Sequence, residues 1–434
     1  MIRPFLLSLG TSVGMAGLGF ATNVVLARML APQARGELAA VMLAAMLIAG
    51  VAQWGLGPAY VYTVRSRDVS RPRRLAGIGA LLIIATAALL SLGWHGVQFS
   101  HNPASVPLTL LAGCAIAQAL QLYVSSLSQA RDGLHLFNLL RAVPTAFVFA
   151  GTVTLAMTGG LHPHTAALVY ALGFGAAGAL YVAATTVGTA APHTNTNTSP
   201  NETSAFRLGH HVRYSLQYHS TVLLGMLATN VDKLYLSFSA SAASLGVYTV
   251  AYATSRLINV VQEAAANALF SRYAGRSAAG MSDGVARVFR LTFYPMLLTC
   301  GLIAGLSWPL FGKVFGPAYQ AGWLPFVILL VECVVGGASW LLAQRFAAAG
   351  QTATVAARQV ISLLPVACAL PWLRPSHLAV DMALVMLASS LLRLLVTVQF
   401  LHRRAGLPVG ALLLRRTDLD FMMTLLPLPR GLRP

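Results

Sequence analysis

The sequence predicts an all-α membrane protein with about twelve transmembrane helices in two six-helix lobes related by a pseudo-twofold axis. Three observations predict it. Apolar stretches long enough to cross a bilayer recur from Phe5 to Leu401, and a hydrocarbon core about 30 Å thick needs about 20 such residues as helix. Arginines collect in every second connection between these stretches. Of 29 basic residues, 22 fall in alternate connections or tails: Arg3; Arg65, Arg67, Arg71, Arg73 and Arg74; Arg131 and Arg141; Arg207 and Arg213; Arg272, Arg276, Arg287 and Arg290; Arg345 and Arg358; and Arg403, Arg404, Arg415, Arg416, Arg430 and Arg433. The opposite connections hold little beyond Arg35 and Arg374. Cytoplasmic connections carry the excess of Lys and Arg, so both termini are expected in the cytoplasm and the chain in a bacterial inner membrane. Third, residues 188–206 are Thr- and Asn-rich and nearly lack large apolar side chains. That is linker composition, and it divides the spans six and six.

Taken in order, the first span (5–30) carries Gly10, Gly14 and Gly17 on a face suited to close helix packing. It is too long for a cleaved signal peptide and leads straight into the second (37–63). Spans at 75–97, 106–129, 138–158 and 165–187 complete an N-terminal lobe, 1–187. A cytoplasmic linker follows at 188–213; Asn197 and Asn201 begin N-x-[ST] patterns there, but a cytoplasmic loop meets no glycosylating enzyme. Spans at 214–238, 244–268, 291–311, 322–344, 355–373 and 378–401 form a C-terminal lobe, 214–401. The eleventh is the weakest, interrupted by Pro365 and Pro371 with Arg358 near its start; such breaks are tolerated where neighbouring helices satisfy the backbone. The basic tail, 402–434, holds a short apolar run from Leu407 to Leu414 and is expected along the inner leaflet.

Composition excludes a soluble chain, because only 9% of residues are charged and 57% are hydrophobic. The net charge of +18 does not point to nucleic acid. The arginines follow topology rather than one soluble face, so the phospholipid bilayer is the expected partner. Cys114, Cys300, Cys333 and Cys368 stand singly in apolar segments, without metal or redox spacing. Small buried hydrophobes fit them best.

A charge at the bilayer centre costs about 2.5–3.5 kcal/mol on insertion scales, so one that persists should face a cavity or a partner. Arg256 sits halfway down the eighth span, with Asn259 and Glu263 at i+3 and i+7 on the same expected face. Its planar fork suits an anionic headgroup; an ion pair with Glu263 or another helix is the competing account. Glu332 lies near the middle of the tenth span with no basic residue within a turn. A carboxylate so placed could take up and release a proton, or be a neutral core Glu. Asp232 and Lys233 are adjacent in the seventh span; successive helical residues point about 100° apart, so different neighbours are expected for each. Glu263 and Asp232 complete the carboxylates considered for ion coupling. Arg393 is placed to snorkel towards the cytoplasmic side. The fourth span carries a polar stripe of Cys114, Gln118, Gln121, Ser125 and Ser128. Uncharged donors in such a row suit sugar hydroxyls along a cavity wall, and equally a helix–helix seam.

The halves resemble each other. LARMLAPQARGELAAV (Leu26 to Val41) is answered 210 residues later by LSFSASAASLGVYTVA (Leu236 to Ala251). In each, a span ends, a short small-residue link follows, and Gly36 or Gly246 opens the next helix. Six spans per half enter the membrane in the same direction, which predicts two like bundles with a site between them.

These hairpins carry a family resemblance. The stretch Leu26–Gly36 resembles the "Lar-Lgp-fG" start of bacterial polysaccharide-export flippases. Asn230-Val-Asp-Lys-Leu, then Leu245-Gly-Val-Tyr248 and Ala251-Tyr-Ala253, resemble the "D-l-l…lG-Y-a-a" pattern of their seventh and eighth helices. The family is the Wzx-type lipid-linked oligosaccharide flippases of the multidrug/oligosaccharidyl-lipid/polysaccharide (MOP) exporter superfamily. The resemblance implies alternating-access transfer of an undecaprenyl-pyrophosphate-linked oligosaccharide, an O-antigen, capsule or exopolysaccharide unit, from the cytoplasmic to the periplasmic leaflet. It also leaves room for a polysaccharide polymerase and a chain-length regulator as partners. Cargo-contacting charges vary with the glycan in this family, so none is carried over; Asp232 matches its aspartate position.

The other function classes fare worse. GMAGLG at Gly14–Gly19 follows no strand, and neither Lys233 nor Lys313 stands in a phosphate-loop setting. No nucleotide, metal or other cofactor is expected, and His210 and His211 lack helical zinc spacing with acidic support. A cation-coupled multidrug exporter of the same superfamily uses a carboxylate early in its N-terminal lobe, whereas no acidic residue here precedes Glu37. A membrane glycan polymerase or ligase needs a large outward loop, and none is present in the expected topology. The chain is therefore read as a transporter, not an enzyme.

Overall fold

The computed structural model describes residues 2–66, 72–101, 107–131, 134–187, 208–273, 281–349 and 351–418, and among them there are helices and turns but no strand. Most of the expected linker, and the tail beyond 418, lie outside the described residues. The chain divides into two compact units, Met1–Gly246 and Val247–Pro434.

The first unit contains α1 (Ile2–Met29), α2 (Pro32–Ala52), α3 (Leu56–Ser66), α4 (Pro72–His101), α5 (Leu108–Arg131), α6 (Leu134–Met157), α7 (Pro163–Val187), α8 (Leu208–Ser239) and the start of α9 (Ala242–Ser255). Helix α5 packs against α2, α3, α4, α6 and α7. Its contact with α2 works because Ala44, Ala45, Ala49 and Ala52 of α2 and Ala115 and Ala119 of α5 are buried and small. Lipid is as apolar as leucine, so helix association in a membrane depends on close van der Waals approach. The large apolar residues point the other way: Leu81, Leu82, Leu89 and Leu92 of α4 are exposed.

The second unit holds the rest of α9, a 3-10 turn at Arg256–Ile258, α10 (Asn259–Tyr273), α11 (Met281–Phe315), α12 (Trp323–Ala348), α13 (Thr352–Ile361), α14 (Leu364–Ala369) and α15 (Leu378–Ala405). Helix α12 is its centre, packed by α10, α11, α13 and α15. Apart from Glu332, Ser339, Gln344 and Arg345 it is almost wholly apolar, and it is largely enclosed, as a helix apolar around most of its circumference should be. The eleventh expected span is broken as its prolines predict, with Pro365 in the first turn of α14 and Pro371 in a 3-10 turn.

Ten helical stretches among the described residues are long and apolar enough to cross a membrane, against twelve expected. The missing two are α8 and the α9–α10 pair. Helix α8 is 32 residues long but carries His210, His211, Arg213, Gln217, His219, Asp232 and Lys233. The second span also differs from expectation. Instead of one helix over 37–63, α2 ends at Ala52 and α3 begins at Leu56. At the break Trp54 and Gly55 have φ of 47° and 67°. A side chain at Gly55 would strike the Ser215 carbonyl of α8, and the Ser215 hydroxyl donates to the Trp54 carbonyl. Glycine serves both the left-handed backbone and the close approach.

The tail differs too. Leu407, Ala411 and Leu412 are buried in the α11–α12–α15 core, while Val409, Leu413 and Leu414 of the same run stay exposed. Arg290 of α11 holds this segment, donating from Nε to Asp418 at 2.5 Å, from Nη2 at 3.2 Å and from Nη1 to the Ala411 carbonyl at 2.5 Å. Tyr294 donates to the Leu412 carbonyl at 3.0 Å.

Candidate functional site

Helix α9 stays regular to Ser255 and then tightens into the 3-10 turn that begins at Arg256. A 3-10 stretch inside a longer helix often marks a hinge. The Arg256 guanidinium lies over the Tyr252 ring, 4.3 Å from its centroid, and donates from Nη2 to Glu332 Oε2 of α12 at 2.5 Å. The Arg256 side chain is 29% exposed and that of Glu332 only 3%. The pair thus has an open cationic end and a closed anionic end.

Glu332 has a second partner. Ser390 of α15 donates to its Oε1 at 2.6 Å, and Arg393 Nη2 donates to the Ser390 hydroxyl at 2.9 Å. Gly336, one turn along α12, leaves room for this arrangement; a Cβ there would lie 3.1 Å from Arg393 Nη2. One further turn along, Ser339 bonds to Thr397 at 3.1 Å, and Arg358 donates to the Ser339 hydroxyl at 2.9 Å and to its carbonyl at 3.2 Å. Arg358 is fully buried, with Trp340 5.7 Å away. Positions 332, 336 and 339 share one face of α12, so this face carries a chain of polar contacts to Arg256, Arg393 and Arg358. Charge is unevenly divided among these groups: three guanidiniums and one carboxylate lie along this face, and Arg256 is the one that bonds the carboxylate directly.

Several expectations change. Glu332 is not an isolated carboxylate, because a guanidinium arrives from 76 residues away. Arg393 does not snorkel; it bonds one turn towards the start of α15, away from the expected cytoplasmic end, as helical side chains tilt towards the N-terminus. Arg256, Asn259 and Glu263 do not share a face. Asn259 Oδ1 lies close to Gly337 of α12, whereas Glu263 is exposed. Each 3-10 residue turns about 20° further than an α residue, about 60° over the turn, which brings Gln262 round towards the Arg256 side. Gln262 occupies the inner position instead, donating to the Val334 carbonyl at 3.0 Å. Asp232 and Lys233 are bonded to each other at 3.3 Å despite their helical offset, because the long Lys stem curls back, also donating to the Thr229 carbonyl at 3.1 Å.

The polar stripe of the fourth span runs along α5 as a seam. Gln121 donates to the Leu140 carbonyl of α6 and to Ser125, Ser125 donates to the Gln121 carbonyl, and Cys114 donates to the Ala167 carbonyl of α7. Gln121, Ser125 and Ser128 are buried, so they line no open wall; Gln118 is half-buried. Among the described residues no group of three or more His, Cys, Asp or Glu could hold a metal ion.

The family model described as polysaccharide biosynthesis protein matches residues 5–271, more than half of the chain. The chain belongs to this family. No curated protein matches it. Among solved structures, it is similar to one titled lipid II flippase MurJ, inward closed conformation (TM-score 0.73, 13% identity, 97% of this chain and 91% of that one). It is also similar to a multidrug resistance MATE family transporter of the MOP superfamily, inward-facing (TM-score 0.70, 15% identity, 91% and 94%). A MOP superfamily transporter from Pyrococcus furiosus follows (TM-score 0.62, 13% identity, 93% and 94%). At such identities the likeness is one of fold. The protein is a multi-pass membrane protein with the MOP transporter fold.

Proposed function

We propose that this protein is a flippase that carries an undecaprenyl-pyrophosphate-linked oligosaccharide from the cytoplasmic to the periplasmic leaflet of a bacterial inner membrane by alternating access. Membership of the polysaccharide biosynthesis family supports a glycan pathway. The observation that carries the headgroup assignment is Arg256: a guanidinium at a break in a long helix, exposed enough to be reached, in a cluster where Arg outnumbers carboxylate. A planar fork in a low-dielectric setting suits phosphate oxygens, which it pairs bidentately. Asn259 and Gln118 are the uncharged candidates for contacts near it and in the other unit. The protein moves its cargo without altering it.

Replacement tests the assignment. Arg256→Ala should abolish surface glycan in a strain that depends on this gene while leaving the amount of membrane-inserted protein unchanged. Arg256→Lys should restore only part of it, since an ammonium has no fork. Normal surface glycan with Arg256→Ala would remove Arg256 from the cargo path.

Cation-coupled drug export is the second reading, supported by the likeness in fold to the MATE family transporter. Cationic drugs call for a reachable carboxylate, and Glu332 is covered by Arg256. Loss of drug resistance without any glycan defect in a deletion strain would favour export of drugs.

A further inference from the structure

We infer that Glu332 is an internal stand-in for the anionic cargo: it occupies Arg256 until a phosphate group displaces it, and the Ser390–Arg393 pair then keeps the released carboxylate. This deepens the flippase reading and rests on it.

Four observations carry the inference. First, the Arg256–Glu332 pair is asymmetric, with the carboxylate enclosed and the guanidinium side open. An incoming anion therefore meets Arg256 and not Glu332. Second, Arg256 begins the 3-10 turn between α9 and α10. Its backbone is at the point of the helix most able to re-aim a side chain, and the Tyr252 ring supports the guanidinium on one side.

Third, Glu332 does not lose all its partners when Arg256 turns away. Its other oxygen already accepts from Ser390, and Ser390 accepts from Arg393. A buried carboxylate deprived of its one cation is strongly unfavourable. Here a second guanidinium stands one hydroxyl away, in space kept open by the missing side chain of Gly336. Fourth, Arg256 bonds the carboxylate directly and Arg393 stands behind it through the Ser390 hydroxyl, so the group carries an excess of positive charge that an arriving anion offsets.

Arg393 is in this account a positioning residue. It touches no cargo; it lowers the hold of Glu332 on Arg256 through the Ser390 hydroxyl, which it holds as a donor to the carboxylate. Glu332 sets how readily the site empties, because its return to Arg256 opposes the bound anion.

The account predicts opposite signs for neighbouring substitutions, which a merely structural cluster does not. The full-length protein in lipid nanodiscs is titrated with undecaprenyl pyrophosphate, with undecaprenol as the uncharged control, and its thermal unfolding is recorded in the same discs. Glu332→Gln should tighten undecaprenyl pyrophosphate by about tenfold, the scale of one charge-assisted hydrogen bond no longer competing. Glu332→Asp, whose carboxylate is drawn back by one methylene, should shift binding in the same direction and serves if Glu332→Gln does not fold. Arg393→Gln and Ser390→Ala should weaken binding, since both leave Glu332 more firmly on Arg256. Undecaprenol should respond to none of them. Unchanged or weaker binding in folded Glu332→Gln or Glu332→Asp, or tighter binding in Arg393→Gln, would overturn the exchange. Failure of the underlying reading looks different: Arg256→Ala would then bind undecaprenyl pyrophosphate as well as the unaltered protein does.

Discussion

At the scale of single residues, long-range partners decide what each charge does. Arg256 was legible as a residue needing an explanation, because a guanidinium in mid-span is costly. Its partner was not legible: Glu332 lies 76 positions away, and helical periodicity pointed to Glu263. Arg358 and Arg290 show the same limit. Both counted among the arginines that mark cytoplasmic connections, yet both are buried within the second unit. Asp418 illustrates how such a partner acts. Hydrogen bonds from Arg290, helped by the Arg415 backbone N–H, hold its carboxyl below the usual aspartate range. A depressed acid contributes stability above its unfolded value, near 3.9, and loses it as pH falls through the folded one. Limited proteolysis should therefore find the segment after Ala405 protected at neutral pH and released in strong acid. Asp418→Asn should release it at neutral pH, leaving Arg290 buried without its anion at a cost of about 3–5 kcal/mol. A tail equally protected in Asp418→Asn would show that apolar packing of Leu407 and Leu412 holds it alone.

At the scale of elements, the internal repeat was the most instructive part of the sequence. Helix α1 ends at Met29 and α2 starts at Pro32; α8 ends at Ser239 and α9 starts at Ala242, each boundary displaced by 210 residues. The matched glycines turn out to face each other within the first unit. A side chain at Gly36 would strike the Ala242 carbonyl, and one at Gly246 the Pro32 carbonyl. Backbone cannot move aside as a flexible side chain can, so Gly36→Ala should cost about 1–3 kcal/mol by overpacking. Gly113→Ala, with open space around it, should gain up to about 1 kcal/mol from helix propensity. Thermal unfolding in detergent compares them, and equal melting of the two variants would refute the close approach. The polar stripe on α5 taught the reverse lesson. Its periodicity was correct, but a row of Gln and Ser is the same string whether it faces water or another helix's carbonyls, and here Gln121 reaches Leu140.

At the scale of the whole molecule, the arginine distribution carries one more expectation. With residues 188–213 and both termini on the cytoplasmic side, a periplasmic phosphatase fused near Thr198 should be inactive, and fused near His162, between α6 and α7, active. Strong activity at Thr198 would overturn the orientation together with the argument that both halves enter the membrane alike. The same map directs the flippase proposal, since cargo built in the cytoplasm must enter from the side that holds the linker.

The helical class, the approximate ends of ten of the twelve expected spans and the half-repeat were readable because they depend on local composition and on a bilayer of fixed thickness. Even the breaks at Pro365 and Pro371 followed from local chemistry. Only the tertiary structure decided which helices α12 touches, and hence that Glu332, Ser390 and Arg393 form one relay with Arg256. It also decided that α2 ends where α8 crosses it and that the tail docks on α11. The physical reason is common to all of these. In lipid the apolar surface of one helix is much like that of another, so partner choice rests on small residues and buried polar pairs whose members lie far apart in the chain.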